Sequence, residues 1–108
     1  MTTTLTPDTF TATVLESEIP VVVDFTADWC PPCRAMKPVL ASLSDERDDV
    51  RFVEIDVDTY PDLAARYEVL SMPTFIVFRH GEPVGKLVGA RPKARFVSDL
   101  EQALAQQG

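Results

Sequence analysis

The chain is poor in cysteine, histidine and positive charge. Among its 108 residues are two cysteines, one histidine, and 10 lysine and arginine residues against 17 aspartate and glutamate residues. The formal net charge is -7, and the basic residues are scattered rather than clustered, which argues against a nucleic-acid partner. Long apolar runs are also missing, and the first five residues carry neither a cationic region nor an apolar segment. We therefore expect a cytoplasmic protein without a membrane partner.

The low cysteine count constrains what the two cysteines can do. The chain is 45% hydrophobic and has the length of one domain, which we expect to span residues 1–108. A domain of this size buries enough apolar surface to fold without structural disulfides or a structural metal. A reducing cytosol also disfavours a permanent disulfide. These considerations favour a transient role for the pair.

Helical and strand-like patterns alternate along the chain, which predicts a mixed α/β fold. A first helix is expected from Pro7 to before Pro20, and a buried, central strand over 21–27. A helix follows from Cys33 to about Arg47, with Pro38 inside it. Further strands are expected at 50–57, 74–79 and 84–89, a short helix at 58–67, a turn at 80–83, and a last helix from Pro92.

Cys30 and Cys33 lie three positions apart, directly after the buried strand and at the opening of a helix. At this spacing two side chains can meet at disulfide distance. The N-terminus of a helix favours a thiolate, so we expect Cys30 to be the nucleophile and Cys33 to resolve the mixed disulfide that Cys30 forms. Half of a zinc site and two core cysteines are the alternatives. No second Cys-x-x-Cys exists, and the single histidine, His80, lies in a predicted turn.

Three segments resemble the thioredoxin family. They are the stretch from Val22 to Arg34 with its Trp-Cys-Pro-Pro-Cys sequence, the stretch Ser71-Met72-Pro73-Thr74-Phe75, and Gly81 together with Gly89-Ala90. The resemblance covers nearly the whole chain. It implies a thioredoxin fold with a central five-stranded mixed sheet, four flanking α-helices, and the active site at the start of the second helix.

The resemblance also implies an activity. A thioredoxin is a thiol:disulfide oxidoreductase that reduces disulfides of client proteins, binds no cofactor or metal, and cycles between a dithiol and a redox-active disulfide, here Cys30–Cys33. A flavin-containing thioredoxin reductase would regenerate it, and we expect a monomer. Neither residue between the cysteines is histidine, unlike in the oxidising relatives, which favours a reductant.

Asp24 interrupts an otherwise apolar strand, and burial there should raise the pKa of its carboxyl group. The alternative is a strand-end aspartate that reaches solvent. By resemblance Asp24 lies beneath Cys33 and assists its deprotonation through water. Some family members carry a lysine on the following strand, where this chain has Glu54, so we expect Asp24 to titrate without a close cationic partner.

The remaining site residues follow from the resemblance. Taken alone, the sequence would place Trp29 in the core and make Pro73 an ordinary loop proline. By resemblance Trp29 flanks the cysteines, Pro73 is cis and faces the disulfide, and the backbone of Met72 pairs with an extended client segment. The predicted client-binding surface is apolar and consists of Trp29, Pro31, Pro32, Met72, Pro73, Gly89 and Ala90.

Pro31-Pro32 replaces the Gly-Pro pair that is usual in the family. A residue before proline resists the α region, so we expect the helix to begin at Pro32. Because both prolines lack an N–H, the nearest backbone donor to the Cys30 thiolate would be the amide of Cys33. This predicts a weaker stabilisation of the thiolate than a Gly-Pro pair would give.

Two other functions are compatible with the sequence. One is a redox-independent interaction module that binds a partner through the surface around Trp29, Met72 and Ala90. The other is an oxidant or isomerase, which would require an exported chain and a more oxidising potential.

Overall fold

The fold is a single mixed β-sheet with helices on both faces, seen in a computed structural model that describes residues 3–105. The five strands are β1 (Thr3–Thr4), β2 (Val21–Thr26), β3 (Arg51–Asp56), β4 (Thr74–Arg79) and β5 (Glu82–Val88). The helices are α1 (Pro7–Phe10), which continues as a π-helical turn (Thr11–Leu15), α2 (Pro31–Glu46), α3 (Pro61–Arg66) and α4 (Lys93–Ala105). The predicted domain, 1–108, extends at both ends beyond the described residues.

The strand order is β1-β3-β2-β4-β5, so β2 is central as predicted. It pairs in parallel with β3 and antiparallel with β4, while β5 forms the antiparallel edge. All six residues of β2 are buried, as expected for a strand covered on both faces. The fifth strand, β1, is only two residues long, so four strands of six or seven residues form most of the sheet.

Alternate residues of β2 face two separate cores. Val21, Val23 and Phe25 pack toward the side that contains Phe10 and Val14 of the N-terminal helical segment. Val22 packs toward the opposite side, beneath α2 and α4. The buried residues of these two helices are Met36, Leu40 and Leu43 of α2, and Phe96, Leu100 and Ala103 of α4. Because helices cover both faces of the sheet, β2 has no exposed side. The residues that directly follow β2 are therefore held near the centre of the sheet.

Several element boundaries differ from the prediction. The first helical segment ends at Leu15 instead of just before Pro20, the short helix spans Pro61–Arg66 instead of 58–67, and the last helix begins at Lys93 instead of Pro92. The strands predicted at 21–27, 50–57 and 84–89 end at Thr26, Asp56 and Val88.

Helix α2 begins at Pro31 rather than Pro32, because proline at the first helical position needs no N–H and already has a helical φ. The turn after β4 is short, and Glu82 and Pro83 belong to β5. His80 and Gly81 make this turn with positive φ values of 52° and 80°. A side chain at Gly81 would also come within 2.8 Å of the carbonyl oxygen of Leu15.

Candidate active site

The two cysteines lie where the central strand passes into α2. Cys30 is the N-cap residue of the helix, with an extended backbone (φ -94°, ψ 108°), and Cys33 occupies the first helical turn. Their sulfurs are joined in a disulfide, and their Cα atoms are 5.2 Å apart. The spacing predicted a pair able to bond without moving the backbone, and this pair is bonded.

The main-chain N–H of Cys33 donates to Sγ of Cys30 at 3.2 Å. An N-cap side chain ordinarily accepts from the second or third helical amide, and proline occupies the first two positions here. The sulfur is therefore held by one backbone amide, the donor that the sequence predicted. The same geometry would stabilise a thiolate at Cys30 once the disulfide is opened.

Both cysteines are buried in the disulfide form. Cys30 is 3% exposed and Cys33 is 0% exposed. Pro31 and Pro32 are exposed beside Cys30. The sequence placed Cys30 nearer to solvent than this, so the assignment of Cys30 as the nucleophile and Cys33 as the resolving cysteine stays a prediction.

The loop before β4 lies against Cys30. The Met72–Pro73 peptide bond is cis, as the resemblance implied, and Sγ of Cys30 lies 3.8 Å from the carbonyl oxygen of Met72. Thr74 fixes the loop by donating its hydroxyl to the carbonyl oxygen of Ser71 at 2.6 Å. Gly89, with φ 96°, donates its N–H to the carbonyl oxygen of Pro73 at 2.8 Å. The loop and the end of β5 are thereby held beside the disulfide.

Trp29 is 62% exposed, so the interpretation as a core residue was wrong. Its indole N–H donates to Oδ2 of Asp58 at 2.6 Å. Asp58 was missed from the sequence, although its position two residues after β3 placed it at the edge of the sheet that carries the cysteines. Leu70 is 93% exposed, and nothing in the sequence distinguished this lone leucine from a core residue.

Asp24 lies on the face of β2 that packs against α2, and it is 1% exposed. Neither carboxyl oxygen has a hydrogen-bond partner among the described residues. The pKa of this group is raised from 3.8 to about 7, chiefly by burial and also by the carboxylate of Glu54, while the ammonium of Lys37 acts to lower it. The raised pKa was predicted. The expectation of no close cation was wrong, because α2 brings Lys37 to the site from 13 residues further along the chain.

Within residues 3–105, no group of three or more histidine, cysteine, aspartate and glutamate side chains is arranged to hold a metal ion. None of the helices in this part of the chain is both long enough and apolar enough to cross a membrane.

Comparison with known proteins agrees with this geometry. The family model described as Thioredoxin matches residues 1–102. The chain belongs to the thioredoxin family. It is therefore a thiol:disulfide oxidoreductase, with Cys30 and Cys33 as its redox pair.

Three relatives show how far the similarity extends. The chain is 47% identical over 93 residues to a thioredoxin of Streptomyces clavuligerus, covering 86% of this chain and 87% of the relative. It is 42% identical over 106 residues to a thioredoxin of Mycolicibacterium smegmatis, covering 95% of each. It is also 43% identical over 101 residues to the bifunctional thioredoxin reductase/thioredoxin of Mycobacterium leprae. That match covers 93% of this chain but only 22% of the longer relative.

Proposed function

We propose that this chain is a general cytoplasmic protein-disulfide reductase, regenerated by a flavin-containing thioredoxin reductase and acting as a monomeric single domain. The observation that carries the proposal is the Cys30–Cys33 disulfide at the N-terminus of α2, with the buried Asp24 carboxyl group on the strand beneath that helix. A reversible disulfide of this kind needs no bound cofactor. The bifunctional relative of Mycobacterium leprae, whose name joins a thioredoxin to a thioredoxin reductase, supports the choice of reductase.

The reaction begins with the dithiol form. The Cys30 thiolate attacks one sulfur of a client disulfide, and a Cys30–client disulfide forms as the other client sulfur leaves as a thiolate. Cys33 then loses its proton and attacks Sγ of Cys30. This step forms Cys30–Cys33 and releases the second client thiolate. Two electrons pass to the client, which takes up two protons to end as a dithiol.

Asp24 is the proposed acceptor of the Cys33 proton, through water. A carboxyl group with a pKa of about 7 can both accept and release a proton near neutral pH. An ordinary aspartate would stay ionised there and could not return the proton. The raised pKa of Asp24 therefore suits it to proton transfer in both directions of the cycle.

The proposed client-binding surface comprises the exposed or partly buried groups around the disulfide, namely Trp29, Pro31, Pro32, Met72, Gly89 and Ala90, together with the buried Pro73. Exposed apolar groups around a reactive disulfide fit the binding of an extended client segment. The main-chain N–H and carbonyl groups of Met72 would pair with that segment.

Insulin-disulfide reduction with dithiothreitol tests the first half of the proposal. The wild type should accelerate insulin precipitation, and Cys30→Ser should not. Replacing dithiothreitol by NADPH and a bacterial thioredoxin reductase tests the second half. If the protein is active with dithiothreitol but with none of several thioredoxin reductases, regeneration by such a reductase is rejected. The oxidoreductase activity itself would still stand.

A redox-independent binding role is a second candidate, favoured by the exposure of Trp29 and Leu70. Its test is the affinity of Cys30→Ser for a client whose own cysteines have been alkylated. Binding that matches the wild type would support the role, and loss of binding would reject it.

A further inference from the structure

Asp24 is a buried acid without a protein hydrogen bond, and its surroundings decide when it is charged. On its own face of the sheet most neighbouring groups are apolar. Helix α2 presents Met36 and Leu40, β4 presents Phe75, and α4 presents Phe96 and Leu100. Two charged side chains, Glu54 of β3 and Lys37 of α2, act on Asp24 from the described part of the chain. In the reduced protein the thiols of Cys30 and Cys33 also titrate nearby.

Glu54 is the register partner of Asp24 on the parallel neighbouring strand. Residues paired in this way project to the same face of a sheet, and neighbouring strands are about 4.8 Å apart. The carboxylate of Glu54 is held at both oxygens. Its Oε2 lies 3.4 Å from Nζ of Lys37, and its Oε1 accepts from the hydroxyl of Thr4 at 3.3 Å.

The Lys37–Glu54 ion pair lies at the boundary between this face and solvent. The side chain of Lys37 is 46% exposed and that of Glu54 is 21% exposed. Together with Leu40 and Ala41 they line a cavity of about 170 Å³. The pair therefore places one positive and one negative charge at the solvent boundary of the sheet face that carries Asp24.

We propose that Lys37 and Glu54 are positioning residues of the redox site, whose opposite charges, fixed as an ion pair beside Asp24, set the pH at which that carboxyl group takes up a proton. The inference rests on the proposed function, in which Asp24 exchanges a proton with Cys33. Neither residue touches the disulfide, so each acts through Asp24.

The two charges act on Asp24 in opposite directions. Removing Glu54 takes away a repelling charge and leaves the Lys37 ammonium uncompensated, so Asp24 should ionise at lower pH. Removing Lys37 leaves the Glu54 carboxylate uncompensated, so Asp24 should ionise at higher pH. An ion pair that only held β3 against α2 would be broken equally by either change and would give shifts of the same sign.

The experiment follows the carboxyl group of Asp24 by carbon NMR as a function of pH in the oxidised protein, where the cysteines do not titrate. Asp24→Asn assigns the signal. The variants are Glu54→Gln, Lys37→Gln and the double variant. Matched controls are Glu46→Gln and Lys93→Gln, which break an ion pair with an N···O distance of 2.5 Å near the far end of α2 and change the net charge by the same amounts.

We expect the titration midpoint of Asp24 to fall by about half a pH unit or more in Glu54→Gln and to rise by a similar amount in Lys37→Gln. The double variant should lie near the wild type, and the controls should not move the midpoint. Shifts of the same sign in both single variants, or shifts no larger than those of the controls, would overturn the inference.

The pH profile of insulin-disulfide reduction by the same variants separates this inference from the proposed function. If the pH midpoint of activity in each variant shifts with the NMR midpoint of Asp24, both the inference and the proposed function are supported. Opposite NMR shifts with an unchanged activity profile would support the coupling of the ion pair to Asp24 and would reject Asp24 as the proton acceptor.

Discussion

The indole N–H of Trp29 donates to the carboxylate of Asp58 at 2.6 Å, across the edge of the sheet where β2 and β3 end. The contact joins a residue that directly precedes the redox pair to a loop 29 positions later. It holds a largely exposed ring in one orientation, although the ring buries little surface. An apolar ring fixed in this way presents a defined face to a client instead of a freely rotating one.

Asp58→Asn should weaken client reduction without abolishing it. The amide oxygen can still accept from the indole, but the charge-assisted part of the hydrogen bond is lost. A hydrogen bond to a charged group is worth about 1.5–3 kcal/mol and a neutral one about 0.5–1.5 kcal/mol, so the loss of about 1 kcal/mol should lower kcat/KM for a protein disulfide about fivefold. Reduction of a small-molecule disulfide, which does not need the ring, is the control, and an equal loss there would contradict a role in client binding.

Cys33→Ser should retain attack on a client disulfide but lose its release. Cys30 keeps the backbone donor at position 33, while no second thiol remains to displace the client. A mixed disulfide with the client should therefore accumulate and be visible by mass spectrometry under non-reducing conditions. Cys30→Ser is the matched control. If Cys30→Ser forms a mixed disulfide through Cys33, then Cys33 is able to act as the nucleophile and the roles assigned to the two cysteines are contradicted.

The buried carboxyl group of Asp24 should make the oxidised protein less stable as the pH rises. Its pKa is about 7 in the folded state and 3.8 ordinarily, so the folded protein binds the extra proton between these values. The free energy of unfolding should accordingly fall by roughly 3–4 kcal/mol between about pH 4 and about pH 8 on account of this group. Asp24→Asn should lack that part of the pH dependence.

Urea unfolding of the wild type and of Asp24→Asn, with the disulfide intact, measures this difference. The variant should gain stability relative to the wild type as the pH rises through this range. A difference that does not depend on pH would show that Asp24 is not held neutral by burial.

Pro32→Ala should make Cys30 reactive at lower pH. Position 32 is the second residue of α2, and an N–H there would point toward the N-cap sulfur beside the amide of Cys33. Pro31→Gly adds a donor at the first helical position and should act in the same direction. The pH dependence of iodoacetamide alkylation of the reduced protein measures both effects, and an unchanged midpoint in both variants would refute the shortage of donors at Cys30.

Much of the fold could be predicted from short-range patterns. The apolar run from Val21 predicted the central strand, and the bounds of β4 agree residue for residue with the prediction. The start of α2 was misplaced by one residue, because two rules for proline compete at Pro31 and the helix-start preference prevails. The two-residue strand β1 carries no pattern of its own and exists through its pairing with β3.

Within the candidate site, the residues close in sequence to the cysteines were predictable, and those brought in by tertiary structure were not. Cys30, Cys33 and the burial of Asp24 follow from the order of strand, turn and helix. Lys37 and Glu54 lie 17 residues apart, and only the packing of α2 over β3 makes them an ion pair. The charges that surround Asp24 could therefore not be predicted from the sequence.

The position of the redox pair directly after the central strand also bears on local opening of the molecule. The amides of β2 are bonded on both sides, whereas β1 and β5 each have one free edge. Exchange of amide hydrogens with solvent should therefore be fastest at these borders and slowest in β2. Border strands can then fray while the strand that leads to Cys30 stays hydrogen-bonded on both sides.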